Sequence, residues 1–248
     1  MARTVVISGG GTGIGFAAAE VFAADGEQVV LLGRREDVLA RAAGRLPGAA
    51  HCAADLSEPQ GARRAAEFIE REYGAVDVLV HSAGGNGGLE QRPEHMDALE
   101  AVAHDWTVNF KLNTLTAALL TEALQGHLAT PGGRVLFVGS IAAYRGSGPA
   151  PYAAAKAALH PYAFQLARRL GPRGITVNVV APGYVEETDF FGGAFPEERR
   201  AALVAETCTG RVGHPGDVAQ TLRWLASPAA GHITAQVIQV NGGAERGH

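Results

Sequence analysis

The sequence predicts one α/β domain, built on a doubly wound sheet of about seven parallel strands with helices on both faces. Short β-branched runs alternate with Ala-rich stretches of helical character, and strand, helix, strand at such spacing implies parallel crossovers. Runs such as Val29-Val30-Leu31-Leu32 and Val78-Leu79-Val80 are apolar without alternation, as expected of strands covered on both faces. The first run leads directly into a glycine-rich turn and a helix. A length of 248 residues suits a single α/β domain over residues 1–248, and no repeat, low-complexity linker or charge block divides it.

Taken in order, strands are expected at Val5 to Ser8, Gln28 to Leu32, Ala50 to Ala53, Val76 to His81, Arg134 to Val138, Thr176 to Ala181 and Gln236 to Val240. Helices are expected at Phe16 to Ala24, Glu58 to Tyr73, Asp105 to Leu128, and from the Tyr152 region to Leu170. His160-Pro161 lies inside the last of these; a proline there removes a hydrogen bond and crowds the preceding turn, so a local distortion is expected. Residues 188–213 are too long and irregular for a simple crossover and read as a substrate lid. Asn241-Gly242-Gly243 reads as a turn near a subunit contact.

Composition excludes several classes. Hydrophobic residues make up 47% and charged residues 19%, and the net charge is −4, so neither a basic face for nucleic acid nor a polybasic membrane patch is expected. Cys52 and Cys208 are far apart and lack zinc-ligand spacing, so neither a disulfide framework nor a metal site is expected. A strand begins at once and no apolar run approaches a membrane span, which leads to the expectation of a cytoplasmic protein.

The turn Ser8-Gly9-Gly10-Gly11-Thr12-Gly13-Ile14-Gly15 follows the first strand and opens a helix. Glycines there permit a tight turn and close approach to a pyrophosphate, while the helix amino terminus offers N–H groups to phosphates. After the second strand, Gly33 stands where a carboxylate would accept from an adenosine ribose, and Arg34 and Arg35 follow. A guanidinium suits a 2′-phosphate; Arg34 is the candidate and Arg35 reads as a solvated charge. Asp55, after the third strand, could accept from an adenine amino group or cap the following helix. His81 ends a buried strand and reads as structural. Asn109 and Asn113 sit inside a helix, where asparagine is unfavourable without another reason.

Tyr152 and Lys156 are four apart, so on a helix they project from one face. A cation beside a phenol favours the phenolate and moves its pKa towards the working range. Ser140 follows the apolar run Val135 to Val138, which places its hydroxyl at a strand's carboxyl end, where open α/β sheets bind ligands.

Together these motifs, in this order from about Val5 to Gly243, resemble the classical short-chain dehydrogenase/reductase family. The resemblance implies a Rossmann-like NAD(P) domain in which Tyr152 is general acid-base, Lys156 lowers its pKa and binds the nicotinamide ribose, and Ser140 polarises the substrate carbonyl. The family's helix asparagine, placed by its spacing from Trp106 and Thr121, is Asn113 rather than Asn109. The resemblance assigns Gly9, Thr12, Gly13, Ile14 and Gly15 to the cofactor diphosphate region and Asp55 and Leu56 to the adenine. It assigns Ala83 and Gly84 to the adenosine side, and the segment Pro182, Gly183, Val185 and Thr188 to the carboxamide end.

Thr12 stands where many NADP-preferring members have a basic residue, and His81-Ser82 replaces an Asn-Asn pair. The Pro-Gly motif is one residue longer than usual before Thr188. Pro131 replaces an arginine of the reductases that act on carrier-bound ketones, although Arg173 matches their second one. The expected function is therefore NADPH-dependent reduction of a small to medium, apolar or aromatic ketone, or the reverse oxidation, with NADP(H) preferred and NAD(H) possible. A 3-oxoacyl-carrier-protein reductase is the alternative; a non-redox relative and a dinucleotide-sensing regulator are the remaining ones. Neither nucleic acid nor membrane is an expected partner, and a homotetramer or homodimer is expected.

Overall fold

A computed structural model of the chain describes residues 2–89, 92–188, 190 and 196–246. Seven strands form one sheet: β1 (Thr4–Ser8), β2 (Gln28–Gly33), β3 (Ala50–Ala53), β4 (Val78–His81), β5 (Arg134–Val138), β6 (Thr176–Pro182) and β7 (Val237–Val240). Their order is β3-β2-β1-β4-β5-β6-β7 and every pairing is parallel. The chain winds outward one way through β2 and β3, then returns to place β4 on the other side of β1. That reversal opens a crevice at the carboxyl ends of β1 and β4, where Ser8 is level with His81.

Alternate strand residues feed two cores. Val5, Ile7, Leu31, Val80 and Leu136 pack with α1 (Gly13–Ala24), α2 (Glu36–Ala43) and, later in the chain, α10 (Pro215–Leu225). Val6, Leu32, Leu79, Val135 and Phe137 face α3 (Pro59–Glu72), α5 (Thr116–Leu124) and α8 (Leu159–Leu170) on the other side. Burial on both faces explains why the central strands are apolar throughout. The remaining helices are α4 (Ala98–Phe110), α6 (Ala142–Arg145), α7 (Ala150–Ala157) and α9 (Glu197–Ala205).

Several expected boundaries shift. β4 begins at Val78, because Val76 pairs instead with the segment after α5, its amide donating to His127 O at 2.9 Å. The helix expected at Asp105 starts at Ala98, since Asp97 and Glu100 form a reciprocal capping box, and it ends at Leu124 after a π-helical turn at Lys111–Leu115. The expected cap at Asp55 is not one: Glu58 precedes α3, and the Asp55 carboxylate accepts from the Ser57 amide and hydroxyl in a local turn. The distortion expected at His160-Pro161 is present as a break at Ala158 between α7 and α8. The 188–213 segment is not all irregular, since it contains α9; its residues 189 and 191–195, with Phe191 and Phe195, lie outside the described residues.

Candidate active site

Ser140 leaves β5 through Gly139, whose amide bonds Val180 O at 2.7 Å, and the next amide, Ile141, bonds Pro182 O at 2.8 Å. These ties fix the loop against β6. The Ser140 hydroxyl accepts from the Ala142 amide at 3.1 Å and lies within hydrogen-bonding reach of the Tyr152 phenol. Tyr152 and Lys156 come from α7, one helical turn apart as their spacing requires. Lys156 Nζ donates to Val138 O at 2.9 Å, two residues before Ser140, so the ammonium is tied to the same strand end.

Asn113 sits in the π-helical turn. Its Oδ1 accepts from the Gly85 amide at 3.0 Å, while Nδ2 donates to Gly85 O and Asn109 O at 2.9 and 3.0 Å. Extra backbone in a π turn re-aims side chains, a device frequent at functional sites. Thr114, next along, donates to Ala155 O at 2.7 Å and so ties this turn to α7. A Cβ built on Gly84 would stand 2.6 Å from Asn113 Oδ1 and 3.1 Å from Lys156 Nζ, which shows how closely these two groups converge on the strand end. Asn109 is equally buried, but it accepts from Gly87 and donates to Asp105 O, bracing the neighbouring loop instead.

The electrostatics differ from the expectation. Burial drives the Tyr152 phenol up to about 12, opposed only in part by the Ser140 hydroxyl, and drives Lys156 down to about 8. The ammonium is 6.0 Å from the centre of the Tyr152 ring and is spent on Val138. Desolvation outweighs the cation's pull, so the Tyr-Lys pair by itself leaves a protonated phenol. Phe190, at 4.9 Å between ring centres, packs against Tyr152 and helps to dry it. Helical spacing gave no warning of that contact.

The phosphate end is a close-fitting cradle. Gly9 has φ +68, and a Cβ there would press within 2.7 Å of the Ala83 backbone. A Cβ on Gly15 would overlap the Gly9 carbonyl. Thr12 precedes α1 in extended conformation and makes no side-chain cap, leaving Gly13, Ile14 and Gly15 to present first-turn amides to a ligand. Across the crevice, Thr188 comes to 3.4 Å of a Cβ built on Gly13. The extra residue in the Pro-Gly segment is taken up by Glu187, whose φ of +58 makes a left-handed turn and returns Thr188 to the cleft. Pro182 ends β6, Gly183 bonds Val240 O at 3.1 Å, and Val185 is buried beside Gly213. The residues present therefore fit a dinucleotide diphosphate.

At the adenosine end the outcome is mixed. Ala83 donates its amide to Ser8 Oγ at 3.2 Å, Gly84 lies at the crevice, and Asp55 is exposed beyond β3. Leu56, by contrast, is a core residue at 2% exposure, so only its backbone is left to face a base. Arg34 and Arg35 are both exposed where β2 ends. His81 is the structural group it was expected to be: its ring stacks on Phe137 at 4.7 Å and Nε2 meets Thr121 Oγ1 at 2.8 Å. Full burial pushes it down to about 3, so it is neutral.

A parallel sheet with a glycine cradle at its switch point, and Ser, Tyr and Lys at the adjoining strand end, defines a dinucleotide-binding oxidoreductase frame. The sequence model of the family described as Enoyl-(Acyl carrier protein) reductase matches residues 9–245. The chain is 33% identical over 245 residues to 3-oxoacyl-acyl-carrier-protein reductase FabG of Vibrio cholerae, covering 97% of this chain and 96% of that one. It is 34% identical over 247 residues to carbonyl reductase family member 4 of Danio rerio, covering 98% of each. Among solved structures, a short-chain dehydrogenase of Burkholderia cenocepacia in complex with NADP matches with a TM-score of 0.84 at 29% identity, covering 98% of this chain and 97% of that one. A blue fluorescent protein from a metagenomic library, in complex with NADPH, matches with a TM-score of 0.85 at 30% identity and 98% coverage of each. The chain belongs to the classical short-chain dehydrogenase/reductase family, and it is an oxidoreductase of carbonyl and alcohol groups.

Proposed function

We propose that the protein reduces a small to medium, apolar or aromatic ketone with NADPH. The observation that carries this reading is the convergence of Asn113, Ser140, Tyr152 and Lys156 at one dry strand end beside the glycine cradle. When bound, the nicotinamide supplies the hydride. Gly9, Thr12, Gly13, Ile14, Gly15 and Thr188 would hold the diphosphate, with Asp55, Ala83 and Gly84 towards the adenosine. Pro182, Gly183 and Val185 would line the carboxamide end. Ser140 donates to the substrate oxygen, and Tyr152 transfers its proton to that oxygen. A phenol held at about 12 is protonated and able to donate, which supports the reductive direction. Lys156 would hold the ribose from its place on Val138, and Arg34 would meet a 2′-phosphate.

Loss of NADPH absorbance across a ketone panel tests the activity. Tyr152→Phe should bind NADPH as wild type does, measured by fluorescence, while kcat falls by about 10²- to 10⁴-fold. A variant that keeps more than about a tenth of wild-type kcat would remove Tyr152 from the reaction.

Likeness to FabG favours a second reading, a 3-oxoacyl group on a carrier protein. Against it, the Arg173 guanidinium is committed to Gln125 O at 2.9 Å, Leu128 O at 3.4 Å and Thr130 Oγ1 at 3.1 Å, bracing the end of α5. Comparing a 3-oxoacyl thioester with and without its carrier decides between the two. A further proposal concerns assembly. Leu99, Val102, Trp106 and Phe110 recur at helical spacing along α4 and are 48–80% exposed, with Phe164 on α8 also exposed; a second copy of this chain would cover this stripe.

A further inference from the structure

Three segments far apart in sequence meet beside the substrate edge of the sheet. α6 directly follows Ser140 and Ile141, and its last residue, Arg145, brings Nη1 to 2.6 Å from Glu206 Oε2 just past α9. The same guanidinium places Nε 3.7 Å from Glu245 Oε2 in the C-terminal segment. Beyond Glu206 the chain seats itself on the C-terminal turn, where the Cys208 and Thr209 amides both donate to Gly242 O at 2.7 and 3.1 Å. Gly242 and Gly243 have φ of +65 and +84, and Cβ atoms there would fall 2.6 Å from Thr209 Oγ1 and 2.8 Å from Cys208 Sγ. The positive φ at both positions favours glycine there. Asn241, which opens the turn, lies against Gly183 at the root of the segment carrying Val185 and Thr188.

α9 itself has no buried residue. With only Arg200, Leu203 and Val204 half-buried, the helix is held in part by ties at its ends, Arg200 to Glu186 at its start and Glu206 to Arg145 at its finish. The second tie reaches the loop that carries Ser140. Its side chains are partly shielded, at 32% exposure for Arg145 and 41% for Glu206.

We propose that Arg145 is a positioning residue that sets the width of the substrate cleft, by tying α9 and the C-terminal turn to the loop behind Ser140. The inference rests on the ketone-reductase reading and deepens it. Arg145 touches neither reacting atoms nor the cradle; losing the tie widens the cleft and weakens substrate capture without changing proton transfer. A partly exposed pair of this kind sets the size of the effect at about two- to fivefold.

The test is a double-mutant cycle with two readouts. Arg145→Ala and Glu206→Ala should each raise KM for a reduced ketone about two- to fivefold while kcat and NADPH affinity stay within about twofold. The double variant should be no worse than Arg145→Ala alone, and Arg145→Lys should recover part of the loss. Hydrogen exchange of peptides covering 197–209, which needs no turnover, should quicken in both single variants and no further in the double. Additive effects, or exchange unchanged from wild type, would overturn the tie; coupled exchange with an unchanged KM would overturn its role in substrate capture. If wild type reduces no ketone, the functional reading fails, and the exchange cycle still decides whether the tie exists.

Discussion

Lys156 is a buried cation, at 5% exposure, whose Nζ bonds the Val138 carbonyl. Burial holds it down to about 8 from an ordinary 10.5, so between those values the unfolded chain binds a proton that the folded chain lacks. Stability therefore rises with pH across that window, and below it the fold bears the cost of a dry ammonium. Relative to Lys156→Met, which titrates nothing there, wild type should gain on the order of 2 kcal/mol between about pH 7 and about pH 9.5. Urea unfolding of both proteins without cofactor checks this. A stability gap independent of pH would mean that the ammonium is hydrated. Tyr152 and Lys156 were legible in the sequence as a pair, because their spacing puts them on one helix face, while their catalytic reading came from the family resemblance. Their protonation was not, because it depends on Val138, Ser140 and Phe190, which the fold brings from elsewhere.

In the proposed function, β2 and the turn after it would set the cofactor preference. A Cβ built on Gly33 meets Leu39 at 3.6 Å, an ordinary contact, so a carboxylate can be placed there without strain. The exposed Arg34 next to it offers a charged donor, and hydrogen bonds to charged groups contribute about 1.5 to 3 kcal/mol. Discounted for exposure and salt, wild type should favour NADPH over NADH by about ten- to a hundredfold in kcat/KM, and less as salt rises. Gly33→Asp with Arg34→Ala should reverse that order and leave turnover with NADH intact. Equal use of both cofactors by wild type at low salt would make Arg34 a solvated charge. The strand and glycine elements were readable because each rests on local pattern. The start of α4 was missed, although Asp97 and Glu100 form a capping box and Leu99, Val102, Trp106 and Phe110 recur at helical spacing after it.

Among the described residues, the apolar stripe of α4 is a feature that a lone chain leaves exposed. Trp106→Glu with Phe110→Glu should hold the protein as a monomer in sedimentation and lower its melting temperature only slightly. Wild type already monomeric at micromolar concentration would instead leave the stripe without a second copy. No helix among the described residues is long and apolar enough to cross a membrane.

What the amino-acid sequence determined alone is whatever depends on neighbours a few residues away. The strand and helix alternation, the glycine turn opening α1, and the Tyr152 to Lys156 spacing follow from backbone sterics and helical geometry. Tertiary structure decided what depends on contacts between distant segments. It decided which asparagine converges with Lys156, through the Thr114 bond to Ala155. It returned Thr188 to Gly13 through the left-handed Glu187, and set Arg145 against Glu206 across 61 residues. Such contacts leave no periodic trace, because they are made between single residues on different elements once the sheet has fixed where those elements end.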